Sequence, residues 1–178
     1  MASAFSHIAV PAVLYAAFKS ETVNFRVFVI ASACAVLPDA DILAFNFGIP
    51  YASQWGHRGF THSLAFALSL AACLTVCHRL ARSRPWPLFW LCFLSCASHP
   101  LLDAMTNGGL GVALFWPFSQ ERIFFPFRPI QVSPIGVTAF FSQTGLKVLA
   151  SELRWVLIPA MILGIIGAAL RRRHAYKQ

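Results

Sequence analysis

The chain has 178 residues, of which 58% are hydrophobic and only 11% are charged. Soluble domains carry about 25% charged residues, so this composition excludes an ordinary soluble protein and predicts a membrane-embedded chain. The net charge of +8 does not indicate nucleic-acid binding, because the basic residues stand in short clusters between apolar runs, as in membrane proteins. The length favours a single domain, 1–178.

Five apolar stretches predict an all-α, polytopic membrane helix bundle of about five helices. In chain order they cover residues 6–18, 23–37, 61–80, 85–105 and 152–170. The first two are short for a complete crossing, which needs about 20 residues, so we expect a hairpin that just spans or is buried against the others. Thr61 is the expected N-cap of the third helix, and Pro85 suits the first turn of the fourth.

The segment 106–151 predicts an irregular region outside the membrane. It contains a Gly-Gly pair at 108–109 and runs of aromatic residues and proline at 116–118 and 124–127. The prolines exclude one long helix. We therefore expect short strands or interfacial pieces, with aromatic rings at the depth of the lipid headgroups.

The distribution of Lys and Arg predicts the orientation in the membrane. The arginine run 171–173 follows the last apolar stretch and is typical of a cytoplasmic end. Because successive helices alternate in direction, the basic loop at 79–84 and the turn at 19–26 fall on the same side. We expect a multi-pass protein of a bacterial-type inner membrane. His78 and His174, at the cytoplasmic end, are interpreted as interfacial residues.

Seven His and Asp residues stand near helix ends that the predicted topology brings to the extracytoplasmic face. They are His7, Asp39, Asp41, His57, His62, His99 and Asp103. Imidazole and carboxylate ligands together suit zinc, and also manganese or iron. The sequence therefore predicts a site for one or two divalent ions, with Asp39 or Asp41 as a bridging carboxylate. The five cysteines lie in apolar runs and are interpreted as packing residues.

Each of these residues has a simpler interpretation when it is taken alone. A histidine at a helix start can be a cap, and an Asp-Ala-Asp run after proline can be a turn. His99 before Pro100 can mark a kink, and Asp103 can cap a helix end. The metal site is favoured because all seven positions converge in a topology derived from Lys and Arg alone, and because ionisable groups beside membrane helices usually serve function.

Three motifs resemble those of the YdjM-like family of membrane-bound metal-dependent hydrolases. They are Leu37-Pro38-Asp39-Ala40-Asp41, His57-Arg58-Gly59-Phe60-Thr61-His62-Ser63 and Ser98-His99-Pro100-Leu101-Leu102-Asp103. The resemblance extends from His7 to about Glu152 and implies a hydrolase. The family is in turn similar to zinc-dependent phospholipase C and P1 nuclease, whose His-x3-Asp ligands the pair His99 and Asp103 resembles. The chain lacks that group's later His-x3-His-x3-Glu helix, for which Glu152 is a loose substitute, so a third metal is not implied.

The expected function is hydrolysis of a phosphoester in a membrane lipid or a lipid-linked substrate by metal-activated water. Asp39 and Asp103 are predicted catalytic residues, since a carboxylate that is not fully coordinated can act as general base. Arg58 is predicted to be catalytic and, with Arg122 and Arg128, to bind the substrate phosphate. For Arg122 and Arg128 the alternative is contact with lipid headgroups.

The alternative function is a metal-binding membrane protein without hydrolase activity, in which the ion is transported or holds the helix ends together. Transporters usually place ionisable residues near the membrane midplane, whereas here they cluster at one face, which favours the enzyme. The oligomeric state is left open.

Overall fold

The computed structural model describes residues 1–175, and their regular structure is helical. The α-helices are α1 (Ala4–Phe18), α2 (Phe25–Val36), α3 (Leu64–Val76), α4 (Pro85–Ala104), α5 (Val137–Phe140), α6 (Gln143–Glu152) and α7 (Ile158–Ala175). Two 3-10 helices cover Leu37–Phe47 and Phe60–His62, and a π-helical turn covers Leu153–Leu157. The predicted all-α helix bundle is confirmed.

Helix α4 forms the centre of the bundle and packs against α1, α2 and α3. Its buried residues, which run from Leu88 through Cys92 to His99 and Asp103, recur at intervals of three or four and so share one helical face. Pro85 occupies the first turn of α4, as expected. The face that builds the apolar core therefore also carries His99 and Asp103, at its C-terminal end.

Small residues line the contacts that α2 and α3 make within the core. Ala31 and Ala35 on α2, and Ala67 and Ala71 on α3, are completely buried. Small side chains allow helix backbones to approach closely, which is the usual basis of helix association in membranes. The buried cysteines, Cys34, Cys92 and Cys96, have free thiols and pack in this core, whereas Cys73 and Cys77 are exposed.

Among the residues that the structure describes, two helical stretches are long and apolar enough to cross a membrane, namely Phe25–Phe47 and Gln143–Arg173. The second passes through α6, the π-helical turn and α7, and α7 packs chiefly on α1. A Cβ atom on Gly167 would lie 2.8 Å from the Cβ of Ala17, so the contact between α1 and α7 depends on glycine at this position. The further crossings and the orientation stay predictions.

The helix boundaries differ from the expected ones at two places. Helix α3 has 13 residues and is capped by Ser63, whose side chain accepts a hydrogen bond from Phe66 N, so Thr61 is not the N-cap. The last helical region begins at Gln143, earlier than predicted, because Ser142 caps α6 and the chain from Gln143 to Ile158 contains no proline. The π-helical turn ends just before Pro159, which has no N–H to donate.

Candidate metal centre

The seven predicted ligands meet at one end of the bundle. His7 lies in the first turn of α1, Asp39 and Asp41 in the 3-10 helix after α2, His57 in the following loop, His62 just before α3, and His99 and Asp103 in the last turns of α4. Asp39 is the most exposed of the seven, with 13% of its side-chain surface accessible. The cluster therefore reaches solvent mainly along Asp39.

Two aspartates of the 3-10 helix serve different parts of the cluster. Successive residues of such a helix are rotated by about 120°, so Asp39 and Asp41 point in different directions. Asp39 Oδ1 lies 3.4 Å from His99 Nε2 and 3.6 Å from His62 Nε2. Asp41 instead faces the loop that carries His57. The 3-10 geometry thus separates a central carboxylate from a peripheral one.

Four residues offer ligand atoms around one central point. They are Asp39, His62, His99 and Asp103, and their ligand atoms all lie within 4.8 Å of one another. Asp103 Oδ2 is 3.6 Å from His62 Nε2. Two nitrogens and two carboxylate oxygens in this arrangement are a donor set that zinc, manganese and iron accept.

The two histidines at the centre turn ring nitrogens toward each other. His99 Nδ1 lies 2.7 Å from the carbonyl oxygen of Ala35, which only accepts, so Nδ1 carries the proton. His62 Nδ1 lies 3.1 Å from Thr61 Oγ1, whose own hydroxyl proton goes to Asp41 Oδ2, so this Nδ1 also carries a proton. With neutral rings, both Nε2 atoms then present lone pairs at a separation of 3.0 Å. Such a contact is repulsive unless a proton or a metal ion lies between the nitrogens.

Buried polar atoms around this point also lack partners. Within the described residues, Asp39 Oδ1, Asp103 Oδ2 and His7 Nε2 have no hydrogen-bond partner. Buried polar atoms without partners are rare and call for an ion or water. The carboxylates of Asp39, Asp41 and Asp103 and the guanidinium of Arg58 sum to a charge of −2, which matches a divalent cation. The residues present therefore fit a divalent metal ion.

His7 lies at the rim of the central group. Its ring stacks on that of His99 at a centroid distance of 3.7 Å, and its side chain is completely buried. His7 Nε2 is 3.7 Å from Asp103 Oδ1 and 3.9 Å from Asp39 Oδ2. His7 therefore lies outside the central group of four, although its Nε2 faces two of the carboxylates.

Asp41, one of the two predicted bridging ligands, forms a second group of candidate ligands with His57 and His62, whose ligand atoms lie within 4.8 Å of one another. Its Oδ1 lies 2.6 Å from His57 Nδ1, and its Oδ2 accepts hydrogen bonds from Arg58 N and Thr61 Oγ1. These donors occupy both carboxylate oxygens, and His62 Nδ1 lies 3.2 Å from Oδ2. Asp41 therefore orients His62, in the way that carboxylates commonly hold histidine ligands of metals. His57 lies on the far side of Asp41, outside the central group of four.

Replacing Asp41 with asparagine should lower the zinc affinity about 10- to 100-fold and leave the protein folded, since losing a carboxylate behind a histidine ligand has this effect. Competition with a chromophoric chelator would measure the affinity. Glu21→Gln, an exposed acid at the other end of the bundle, is the matched control and should keep the parent affinity. An unchanged affinity in Asp41→Asn would show that Asp41 does not support the metal centre.

Arg58 lies completely inside the protein rather than at a substrate-facing surface. Its Nε is 3.0 Å from Asp103 Oδ2, while its terminal nitrogens donate to the oxygen of Gly108 and to Thr106 Oγ1. Its backbone adopts a left-handed conformation, with φ 64°. The predicted contact with a substrate phosphate is at odds with this placement, because the guanidinium is enclosed and holds Asp103.

Arg122 and Arg128 occupy different environments. Arg122 donates to the backbone oxygens of Tyr51, Ser53 and His57, so it holds the loop before the cluster rather than facing a substrate. Arg128 is exposed, and its guanidinium lies 4.8 Å from the centre of the Phe124 ring. Of the three arginines predicted to bind substrate, Arg128 is therefore the one that is exposed.

Two contacts of the N-terminal segment were not foreseen from the sequence. The backbone nitrogen of Ala2 donates to Asp103 Oδ1, and both the nitrogen and Oγ of Ser3 donate to Glu152. Glu152 is completely buried and lies outside the ligand group, so it anchors the segment rather than replacing a metal ligand. The acidic residue Glu152 at the start of an apolar stretch was a sequence signal for a buried contact. Its partner Ser3 lies 149 positions away, so the sequence did not identify it.

The protonation state of His62 reflects the surrounding carboxylates. Burial alone lowers the pKa of His62, but the neighbouring carboxylates of Asp103, Asp39 and Asp41 outweigh burial and raise the pKa to about 10. Without a metal ion, His62 is therefore protonated at neutral pH. A metal bound at Nε2 has to displace that proton.

Zinc affinity should consequently rise about tenfold for each pH unit between about pH 6.5 and about pH 8.5, because binding releases the His62 proton below its raised pKa. Calorimetry in buffers of different ionisation enthalpy would count the protons released. An affinity that stays constant over this pH range would contradict the assignment of His62 as a ligand.

The fold and the cluster define a helical membrane protein with a buried His and Asp centre at one end of its bundle. The sequence matches the family described as YdjM inner membrane protein over residues 1–175. It is 38% identical over 164 residues to the inner membrane protein YbcI of Escherichia coli (strain K12), which covers 92% of this chain and 95% of that protein. No solved structure matches it. The chain belongs to the YdjM inner membrane protein family.

Proposed function

We propose that this inner membrane protein is a metal-dependent hydrolase that cleaves a phosphoester of a membrane lipid or lipid-linked molecule. The observation that carries the proposal is the pair of Nε2 atoms of His62 and His99, which lie 3.0 Å apart while their Nδ1 atoms are hydrogen-bonded to Thr61 Oγ1 and to the carbonyl oxygen of Ala35. The two Nε2 atoms are already positioned next to the carboxylates of Asp39 and Asp103. This arrangement suits one divalent ion, and zinc is the expected metal. When bound, such an ion supplies Lewis-acid activation of water near neutral pH.

The protein groups have separate roles in this proposal. Asp103 is held by Arg58 and by the nitrogen of Ala2, so it is a fixed ligand. Asp39 is the most exposed cluster member, and its Oδ1 faces the two histidines. Asp39 Oδ2 is therefore the atom best placed to accept a proton from an attacking water as general base. Arg128 is the exposed cation proposed to meet the phosphate or the headgroup.

Phosphoester chemistry is argued from the donor set and the membrane setting. Neither the matched family nor the relative in Escherichia coli supports a likeness to zinc-dependent phospholipase C and P1 nuclease. Buried ligands provide a low-dielectric surrounding, which strengthens electrostatic stabilisation of the charge that develops on phosphorus-bound oxygens. The proposed active site faces the extracytoplasmic side, following the distribution of Lys and Arg.

Metal analysis combined with a hydrolysis assay tests the proposal. Protein purified in detergent should contain about one zinc, manganese or iron ion per chain and release phosphate or a phosphorylated headgroup from at least one phospholipid of a panel. Chelation should abolish the activity, and the readded metal should restore it. A metal-free protein that binds none of these ions would overturn the proposal.

A structural role for the metal is the second candidate function, and the depth of burial favours it. His7, His62, His99 and Asp103 have no exposed side-chain surface, and structural metal sites are typically closed in this way. The ion would then tie α1, α4 and the 3-10 helix together. Stoichiometric metal, strong destabilisation on chelation and no hydrolysis of any phosphoester would establish this role.

A further inference from the structure

We infer that a groove beside the metal centre binds a hydrocarbon chain of the membrane phospholipid whose phosphoester reaches that centre. This inference rests on the proposed function and deepens it, since it assigns the subsite for the apolar part of the substrate. The groove has a volume of about 380 Å³. Its walls include Phe5, Ile42, Pro134, Phe140 and Phe141.

The groove adjoins the metal centre along two of its walls. In a 3-10 helix residues i and i+3 are aligned, so Ile42 stands on the same edge as Asp39, the most exposed member of the cluster. The other wall includes Ser3, which is anchored to Glu152, next to Ala2, whose nitrogen binds Asp103. The groove and the accessible edge of the centre are therefore neighbours.

The lining selects a hydrocarbon chain rather than a polar ligand. Phe5 and Phe141 are 60% and 82% exposed, which is a large apolar surface for a face next to a buried polar cluster. In a membrane-embedded protein the available apolar ligand is a lipid chain. A divalent ion at the centre would attract the anionic phosphate, and the chain attached to that phosphate could then lie along the adjoining groove.

The strength of the interaction depends on how closely the acyl chain packs against the groove walls, because the chain enters the groove from lipid or detergent rather than from water. A bulky or charged side chain in the groove removes that packing and should weaken binding severalfold. Ala4→Trp places an indole in the groove from an exposed position at the start of α1, and Phe141→Glu places a charge there.

Photolabelling tests the groove without relying on turnover. The probe is phosphatidic acid with a diazirine near the end of one acyl chain, present in trace amount in detergent-solubilised full-length protein. We expect the label on peptides that contain residues 1–5, 42 and 133–141. Ala4→Trp and Phe141→Glu should each reduce this labelling severalfold. Ala150→Trp, on an exposed part of α6 outside the groove, is the matched control and should label like the parent.

Equal labelling of these peptides in the parent, Ala4→Trp and Phe141→Glu would overturn the groove assignment, whatever the hydrolysis assay shows. Labelling that falls in both variants, in a protein that hydrolyses no phosphoester, would support the groove while overturning the proposed enzyme. The two conclusions therefore fail separately.

Discussion

Replacing Asp103 with asparagine should remove the bound ion and the hydrolytic activity together. Asp103 contributes its buried Oδ2 to the central group and is the carboxylate that Arg58 and Ala2 hold in place. The amide keeps the shape of the side chain but loses the negative charge that a divalent ion requires. We expect zinc affinity to fall by more than about 100-fold, beyond the effect of losing a supporting carboxylate. Metal content after dialysis and phosphate release would be measured on the same samples.

Glu121→Gln is the matched control for Asp103→Asn, because it makes the same change at an exposed position outside the cluster. It should keep the metal content and activity of the parent. Full metal content in Asp103→Asn would remove Asp103 from the ligand set and leave the arrangement around His62 and His99 without its second carboxylate.

Replacing Arg58 with alanine should destabilise the protein strongly. The substitution leaves Asp103 without its cation, and it leaves the oxygen of Gly108 and Thr106 Oγ1 without a donor. Removing one partner of a buried ion pair typically costs about 3–5 kcal/mol in the free energy of unfolding. Thermal unfolding in detergent, followed with and without zinc, would measure the loss.

Arg58→Lys keeps the charge but not the three separate donor directions, so it should lie between the parent and Arg58→Ala. Arg128→Ala, at an exposed position, should leave the melting temperature unchanged. If Arg58→Ala kept the parent stability and metal content and only slowed turnover, the substrate-binding role predicted from its motif would stand, and the positioning role described here would be wrong.

The composition and the apolar periodicity by themselves determined the all-α membrane bundle. Helix α4 illustrates why, since Pro85 at its start and the recurrence of buried residues along one face are local features. The predicted starts of α3 and of the last helical region were wrong, because both starts depend on capping by Ser63 and Ser142, which periodicity does not report.

The sequence also placed the seven His and Asp residues at one face, because alternating helices bring their successive ends together. Only the tertiary structure decided which of those residues face the central point and which groups orient them. His99 is oriented by the carbonyl of Ala35, 64 positions away, and Asp103 accepts from Ala2, 101 positions away. The spacing of residues within a motif does not predict hydrogen bonds between such distant positions.

Arg58 is the clearest case of a contact that the sequence could not predict. Its place inside the densest motif, between His57 and His62, correctly associated it with the cluster. Whether it faces a substrate or a carboxylate depends on the loop at Thr106 and Gly108, which folds back over it from another part of the chain. Motif composition therefore determined which residues gather at this end of the bundle. The packing of distant segments decided which side chains face the central point and which hold their neighbours, because burial and hydrogen-bond partners are properties of the folded chain.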